Sequence, residues 1–299
     1  MALKQLSDYQ YSQLQKYYPF QSCYLKLKSG HYYHYIDQGP RQDEALLLVH
    51  GNPSWSFLYR HVIQKFQSQM RVIAMDHLGH GLSENDPDYQ PSLAEHQQNL
   101  VQLIDHLQLK KVILVVHDWG GPIGLGACLQ RKGLLKGLVV SNTAVFLSPN
   151  IPWRIWLCRL RFLNHLLVGR LNLFARAATV MATTKPLGRD LKYWYLYPYQ
   201  RKDCREGVKK FILDIPLKSE DENYSLLDKL SKQVQSLKVP VLLLWGGKDF
   251  CFDQTFYQRF CEYFPSCEKH LFAHAGHFVW EDEKQQCLEL LEKWLGRLG

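Results

Sequence analysis

Five polar side chains that could take part in catalysis each follow a separate apolar stretch of the chain: Asn52, Asp76, Asp118, Asp249 and His277. Each stretch has the length and composition of a buried strand, so these side chains come at strand ends. A carboxylate at the end of a buried strand is costly unless it has partners or a function. An aspartate that attacks an electrophilic carbon becomes an ester, and a histidine oriented by a second carboxylate can activate water against that ester.

Asp118 has the most informative surroundings of the five. Residues 112–116 are all apolar, and Asp118 is followed by Gly120, Gly121 and a helix of small residues. A strand, a tight turn and a helix are typical of a nucleophile at the end of a buried strand. Asp118 could instead cap the following helix, because aspartate is a favoured N-cap residue.

The chain order of three residues favours the catalytic interpretation. Asp118, Asp249 and His277 follow one another as nucleophile, acid and histidine do in hydrolases with this strand–turn–helix pattern. No carboxylate follows the predicted strand at 137–140, so Asp249 is the predicted acid. His277 taken alone could be an ordinary core histidine, but its place in a loop after the last predicted strand favours a catalytic role.

The remaining pattern predicts the elements that position these residues. Predicted strands are 23–28, 31–37, 45–49, 71–75, 112–116, 137–140, 241–245 and 269–273, and predicted helices are 54–67, 93–109, 121–130, 255–264 and 283–298. Their alternation predicts an α/β fold with a mostly parallel sheet and helices on both faces. Ligands of such sheets bind beyond the carboxyl ends of the strands.

Residues 145–225 interrupt this alternation with helical, aromatic-rich stretches. Between Arg154 and Lys210 there are thirteen Lys or Arg but only three acidic residues. We therefore predict a core of residues 1–144 and 226–299 with an inserted helical cap of residues 145–225. Residues 1–20 are predicted to form a polar surface arm.

Composition limits the class of protein. The chain of 299 residues is 46% hydrophobic and carries a net charge of +8, which comes largely from the cap. It has no apolar run long enough to span a membrane, no signal-peptide core at the N-terminus, and eight cysteines without a C-x-x-C pair. These features predict a cytoplasmic protein with reduced thiols, without cofactor or metal, whose charge favours acidic partners or anionic lipid over nucleic acid.

Three motifs carry a family resemblance. Residues 50–53 (His-Gly-Asn-Pro), 76–83 (Asp-His-Leu-Gly-His-Gly-Leu-Ser) and 117–121 (His-Asp-Trp-Gly-Gly) together resemble the haloalkane dehalogenase group of α/β-hydrolases over nearly the whole chain. The resemblance implies the α/β-hydrolase fold with a cap and an aspartate nucleophile. One departure is Val116, at a position where most members of the wider fold carry glycine.

Asp249 as the acid, with Asn52 and Trp119 as the halide-binding pair, resembles the third branch of this group. That branch includes the β-lactone decarboxylases of bacterial long-chain olefin synthesis, which residues 174–178 and 245–253 also resemble. The implied activity is decarboxylation of cis-3,4-dialkyl β-lactones to alkenes, and the alternative is haloalkane dehalogenation. The Trp119 indole N–H and the Asn52 amide can both donate to a leaving anion.

Two further alternatives remain open. Epoxide hydrolases of this fold use two cap tyrosines as acids, for which Tyr193, Tyr195, Tyr197 and Tyr199 are available. A non-enzymatic binding module would show a degraded triad. The predicted partner is a small hydrophobic substrate with long alkyl chains, and residues 151–163, apolar with interspersed arginines, could roof its pocket or meet a membrane surface. Association with the inner membrane or with a multienzyme complex is therefore a further hypothesis.

Overall fold

The computed structural model describes residues 6–89, 91–148 and 151–298. Eight strands form one sheet of order β1-β2-β4-β3-β5-β6-β7-β8. They are β1 (Ser22–Lys26), β2 (Tyr32–Gln38), β3 (Glu44–Val49), β4 (Arg71–Met75), β5 (Lys111–Asp118), β6 (Leu135–Thr143), β7 (Val241–Gly246) and β8 (Glu268–Phe272). β2 is antiparallel to β1 and β4, and every other pair is parallel. The predicted mostly parallel sheet is confirmed.

The α-helices of the described residues divide between the two sides of the sheet and an insertion. They are α1 (Asp8–Leu14), α2 (Arg60–Phe66), α3 (Leu93–His106), α4 (Gly120–Cys128), α5 (Trp153–Arg159), α6 (Arg161–Leu163), α7 (Leu173–Met181), α8 (Arg189–Leu196), α9 (Glu206–Leu213), α10 (Tyr224–Gln235), α11 (Gln254–Tyr263), α12 (Val279–Asp282) and α13 (Lys284–Leu295). Short 3₁₀ helices cover Ser56–Tyr59, Tyr197–Tyr199 and Lys202–Arg205, and a π-helix covers Asn164–Arg170. None of these helices is long and apolar enough to cross a bilayer.

The central strand β5 shows why the sheet is covered on both faces. Val112, Leu114 and Val116 pack into one buried hydrophobic cluster, whereas Ile113 and Val115 pack into the other. Successive side chains of a strand point to opposite faces, so an uninterrupted apolar run must be buried twice. The helices on both faces supply that burial.

Between β6 and β7 the described residues form helices and no strand. Part of this insertion has a small hydrophobic cluster of its own, which includes Val168, Ala175, Tyr199, Val208 and Ile212. α10, by contrast, packs against α4 of the sheet layer. The domain boundaries at residues 144 and 225 remain predictions.

The predicted surface arm is wrong in its second half. Residues 1–5 of that prediction lie outside the described part, but Leu14, Tyr18 and Phe20 are buried. The Tyr18 hydroxyl is 2.6 Å from the hydroxyl of Ser56. The tyrosine-rich stretch looked polar because tyrosine carries a hydroxyl, yet its ring buries as readily as that of phenylalanine once the hydroxyl has a partner.

Candidate active site

Asp118 is the last residue of β5 and begins the strained turn into α4. Its φ is +52°, in the left-handed region that non-glycine residues rarely adopt and that is common at functional sites. The turn is tight because α4 begins at Gly120, where a Cβ atom would lie 2.0 Å from the carbonyl oxygen of Val49. Glycine there lets α4 approach the sheet, so the turn holds the Asp118 side chain beyond the end of the strand.

The three predicted catalytic residues come together in the structure. His277 Nδ1 lies 2.8 Å from Asp249 Oδ2, a hydrogen-bond distance. His277 Nε2 faces Asp118 and is 3.8 Å from its Oδ2, which is longer than a hydrogen bond. A water molecule that attacks the carboxyl carbon of Asp118 would therefore come within reach of Nε2.

Asp249 is held by one group from the end of β6 and one from its own loop. Its Oδ2 also accepts a hydrogen bond from Asn142 Nδ2 at 3.0 Å, and its Oδ1 accepts one from the backbone N–H of Cys251 at 2.7 Å. Asn142 in turn accepts the Gly246 N–H at 2.9 Å and donates to the Gly246 carbonyl at 3.1 Å. Asn142 therefore links the ends of β6 and β7 and orients the acid toward His277.

Burial and neighbouring charges raise the pKa values of both Asp118 and His277. Burial raises the pKa of Asp118 above its usual value, although the charge of His277 and the backbone N–H groups of Asn52 and Trp119 act in the opposite direction. Burial lowers the pKa of His277, but the charge and hydrogen bond of Asp249, together with Asp118, outweigh it and raise that pKa overall. His277 therefore keeps a proton to higher pH than a free histidine.

The backbone N–H of Asn52 donates to Asp118 Oδ1 at 2.6 Å, which fixes one carboxylate oxygen and leaves the other toward His277. The side-chain amide of Asn52 is fixed on both sides. Its Oδ1 is 3.0 Å from His80 Nε2, and its Nδ2 donates to the Val208 carbonyl at 3.3 Å. One amide hydrogen of Nδ2 stays available for a ligand.

Trp119 lies beside Asp118 and lines the same cavity. Its ring packs 5.2 Å from the ring of Phe211. Among the described residues no acceptor lies at hydrogen-bond distance from the indole N–H, so this N–H can donate to a ligand in the cavity. Asn52 and Trp119 can thus supply two donors for an anion beside Asp118, as the sequence predicts.

Asp76 also lies at a strand end, but its contacts stabilise loops and do not belong to the catalytic group. It is fully buried and accepts hydrogen bonds from the backbone N–H groups of Ser56 and Leu82, at 2.7 and 2.8 Å, and lies 2.8 Å from His34 Nδ1. Burial raises its pKa, but the charge and hydrogen bond of His34 outweigh this and lower it overall. Asp76 ties together the loops that follow β3 and β4. No group of three potential metal ligands occurs among the described residues.

A cavity of about 390 Å³ adjoins these groups, and Asn52, Asp118, Trp119 and His277 all line it. Most of the lining is apolar and comes from α5, α7 and the segments that follow β6 and β7; it includes Phe146, Leu147, Ile155, Leu157, Phe174 and Phe252. A buried carboxylate beside a large apolar cavity suits a hydrophobic substrate with one electrophilic carbon.

A family model described as the alpha/beta hydrolase fold matches residues 44–284. The chain belongs to the α/β-hydrolase fold family. Solved structures of the same fold include haloalkane dehalogenase DbeA from Bradyrhizobium elkani USDA94, with a TM-score of 0.85 and 19% identity over 93% of this chain and 98% of that one. Haloalkane dehalogenase DatA from Agrobacterium tumefaciens C58 has a TM-score of 0.83 and 22% identity over 93% and 97%.

Curated relatives narrow the group within this family. The cis-3-alkyl-4-alkyloxetan-2-one decarboxylase of Shewanella oneidensis is 34% identical over 285 residues, 93% of this chain and 89% of the relative. The enzyme of the same name from Xanthomonas campestris pv. campestris is 32% identical over 292 residues, 94% and 97%. Haloalkane dehalogenase 2 of Mycobacterium bovis is 29% identical over 282 residues, 89% and 91%. This α/β-hydrolase is thus a member of the haloalkane dehalogenase-like group that includes the β-lactone decarboxylases.

The cap tyrosines of this α/β-hydrolase do not form an acid pair over the cavity. Tyr195 is buried and donates to Glu281 at 2.5 Å, and Tyr199 is buried and donates to the Ser54 carbonyl at 3.0 Å. Tyr193 is exposed, Tyr197 is half-buried, and none of the four lines the cavity. This arrangement argues against the epoxide-hydrolase alternative.

Two residues that support the site, Asn142 and His80, were not predicted from the sequence. Both lie in segments that were identified, after the strand at 137–140 and within the motif at 76–83. Their position after a predicted strand indicated that they lie near the site. Their partners could not be inferred, because Asp249 is 107 residues from Asn142 and Asn52 is 28 residues from His80.

Proposed function

We propose that this α/β-hydrolase decarboxylates cis-3,4-dialkyl β-lactones to alkenes, with Asp118 as the nucleophile. The observation that supports this most is the carboxylate of Asp118, buried beside two anion donors and a cavity lined by apolar side chains. The decarboxylases of Shewanella and Xanthomonas carry oxetan-2-one, the systematic name of a β-lactone, in their names. The two alkyl arms of such a substrate match the apolar lining.

In the first step Asp118 attacks the ring carbon that carries the ring oxygen. A bond forms between the carboxylate and that carbon, and the carbon–oxygen bond of the strained ring breaks with inversion. The ring oxygen leaves as part of a free carboxylate, to which the Asn52 amide and the Trp119 indole can donate. Because the leaving group is an anion, these donors stabilise charge that develops during the reaction.

In the second step the freed carboxylate leaves as carbon dioxide. Its bond to the neighbouring carbon breaks, that electron pair forms the double bond, and the ester bond to Asp118 breaks. The Asp118 carboxylate is thereby regenerated without proton transfer or water. The first step inverts the carbon that carried the ring oxygen. If carbon dioxide and the Asp118 carboxylate then leave from opposite faces, a cis-lactone gives a cis-alkene. An apolar cavity favours this step because it solvates a carboxylate poorly.

The roles of His277 and Asp249 differ between this reaction and its alternative. In the decarboxylase no step uses His277 as a base; its raised pKa favours a protonated ring, whose charge opposes the rise in the pKa of Asp118, and Asp249 orients the ring. In haloalkane dehalogenation, neutral His277 would take a proton from water that attacks the Asp118 ester. The contact distances of His277 and the Asn52–Trp119 donor pair also suit this second candidate.

Product analysis separates the two candidates. Purified enzyme is incubated with a cis-3,4-dialkyl β-lactone and, separately, with 1-bromoalkanes. We expect alkene and carbon dioxide from the lactone, and little bromide from the bromoalkanes. Rapid bromide release, with only hydroxy acid from the lactone, would refute the decarboxylase and favour the dehalogenase.

We further propose a cytoplasmic enzyme that works at the inner face of the membrane or in a multienzyme complex. The substrate class supports this, since a lactone with two long alkyl arms partitions strongly out of water. The excess of basic residues in the cap supports an acidic or anionic surface as the partner.

A further inference from the structure

Most of the exposed large apolar side chains that the structure describes lie in the cap. We define the cap face as the eight exposed residues Trp153, Trp156, Leu160, Phe162, Leu171, Leu173, Val180 and Met181. Phe162 is 77% exposed, and Trp153 is 64% exposed. The other exposed large hydrophobic side chains among the described residues are Leu271 and five tyrosines, which carry a polar hydroxyl.

The cap face belongs to one continuous group of helices. Its residues come from α5, Leu160 between α5 and α6, α6, the turn before α7, and α7. The π-helix of residues 164–170 contacts α5, α6 and α7. Contiguous exposed apolar surface on a soluble protein usually marks an interaction site.

The segment that carries this face has a net positive charge, although one of its arginines, Arg159, lies 3.5 Å from the carboxylate of Asp221. Residues 151–181 contain five arginines and no acidic residue. Arg161, Arg170 and Arg176 are exposed and have no carboxylate at ion-pair distance within the described residues. Arg154 lies over the ring of Trp153 at 4.9 Å, an arrangement that leaves its guanidinium beside the apolar surface.

The catalytic cavity opens on the same face. Three cap-face residues, Trp153, Leu173 and Met181, also line the cavity while remaining exposed. Trp156 and Phe162 belong to the face but do not line the cavity. The entrance to Asp118 is therefore bordered by the exposed apolar residues, whereas other parts of the face have no contact with the cavity.

We propose that the cap face binds an anionic lipid bilayer, so that the cavity entrance meets the acyl-chain region and takes its substrate from the membrane. Tryptophan, phenylalanine and leucine with surrounding arginines are the composition of interfacial membrane helices. Uptake of the substrate from the membrane rests on the proposed function, because it assumes a dialkyl lactone as the substrate. Such a lactone would pass from the bilayer into the cavity without crossing water. The binding itself does not depend on turnover.

Vesicle co-sedimentation without substrate tests the proposal. Full-length protein is mixed with vesicles of phosphatidylglycerol and phosphatidylcholine, or of phosphatidylcholine alone. Two apolar residues outside the cavity are changed together, in the variant Trp156→Ser/Phe162→Ser. The matched control is Tyr9→Ser/Tyr11→Ser, which removes two exposed aromatic side chains from α1. Circular dichroism and thermal unfolding establish that each variant is folded.

We expect the wild-type chain to bind the phosphatidylglycerol vesicles and to lose that binding at high salt. The cap variant should bind about tenfold or more weakly, because its apolar contacts are lost, and the tyrosine control should bind as the wild type does. Equal binding of the cap variant, or no preference for the anionic vesicles, would overturn the proposal. Light scattering that shows a vesicle-free dimer, abolished by the cap variant, would also overturn it in favour of contact between copies.

Lactone turnover of both variants, measured with a short-chain substrate in vesicle-free buffer, distinguishes the two proposals. Unchanged turnover with lost vesicle binding supports both. If no chain turns over lactone but the wild type binds anionic vesicles through the cap face, the proposed function fails and the surface assignment stands.

Discussion

Filling the cavity from α7 should change the preferred chain length of the substrate. Ala178 lines the cavity, and Val180, two residues further along the same helix, is exposed and outside it. Ala178→Phe introduces a ring into space that we assign to an alkyl arm. Val180→Phe adds the same ring to the exposed cap face, outside the cavity, and is the matched control in vesicle-free buffer.

The expected size follows from the apolar area that the substrate can bury. Each buried methylene contributes about 0.8 kcal/mol, so two methylenes contribute about 1.6 kcal/mol, or roughly 15-fold in kcat/KM. Lengthening both arms by one methylene should raise kcat/KM of the wild type by about that factor until the cavity is filled. In Ala178→Phe the increase should stop at shorter chains, and the longest substrates should lose about 15-fold or more.

The assay is kcat/KM for alkene formation over a homologous series of cis-dialkyl β-lactones. Short-chain lactones should react equally well with the wild type, Ala178→Phe and Val180→Phe. Two results would refute the assignment of the cavity to the alkyl arms: a flat dependence on chain length in the wild type, or an equal loss for short and long lactones in Ala178→Phe.

Three further predictions concern pH, the anion donors and stability. Because the pKa of His277 is raised, any dehalogenation should fall as pH drops through a value above 6.5, whereas alkene formation should persist until Asp118 protonates; pH–rate profiles that coincide would contradict this. Asn52→Ala removes one donor to the leaving carboxylate and should lower kcat for alkene formation about 10²- to 10³-fold, and a change within twofold would exclude that role. Glu281→Ala leaves the buried guanidinium of Arg60, bonded to Glu281 at 2.5 and 2.9 Å, without its partner. It should lower the free energy of unfolding by about 3–5 kcal/mol, measured by urea denaturation, and a loss below about 1 kcal/mol would show that the pair is dispensable.

The parallel sheet could be predicted because the residue pattern that indicates each strand lies within a few consecutive residues. Residues 112–116 are an apolar run whose length and flanking residues are typical of a strand buried on both faces, and a polar side chain follows each of several such runs. Chain order then brings Asp118, Asp249 and His277 to one edge of the sheet, since parallel strands end on the same side. These predictions needed no contact between distant residues.

Other features depend on contacts that the pattern does not contain. The role of Asn142 does not follow from the sequence, because its bond to Asp249 requires β6 and β7 to be neighbours in the sheet. The polar pattern of residues 1–20 predicts a surface arm, whereas Tyr18 bonds to Ser56 of the 3₁₀ turn and Phe20 packs against the Tyr18 ring. The helix predicted over 54–67 begins only at Arg60, because that turn precedes it.

The central claim, that Asp118 forms an ester with the substrate, can be tested by rapid acid quenching. Acid protonates the freed carboxylate and so stops the loss of carbon dioxide, which preserves the intermediate. Peptide mass spectrometry of enzyme quenched during turnover of a cis-dialkyl β-lactone should find the mass of one lactone added at Asp118. Asp118→Asn should show neither adduct nor alkene. An adduct on another residue, or alkene formed by Asp118→Asn, would contradict the account.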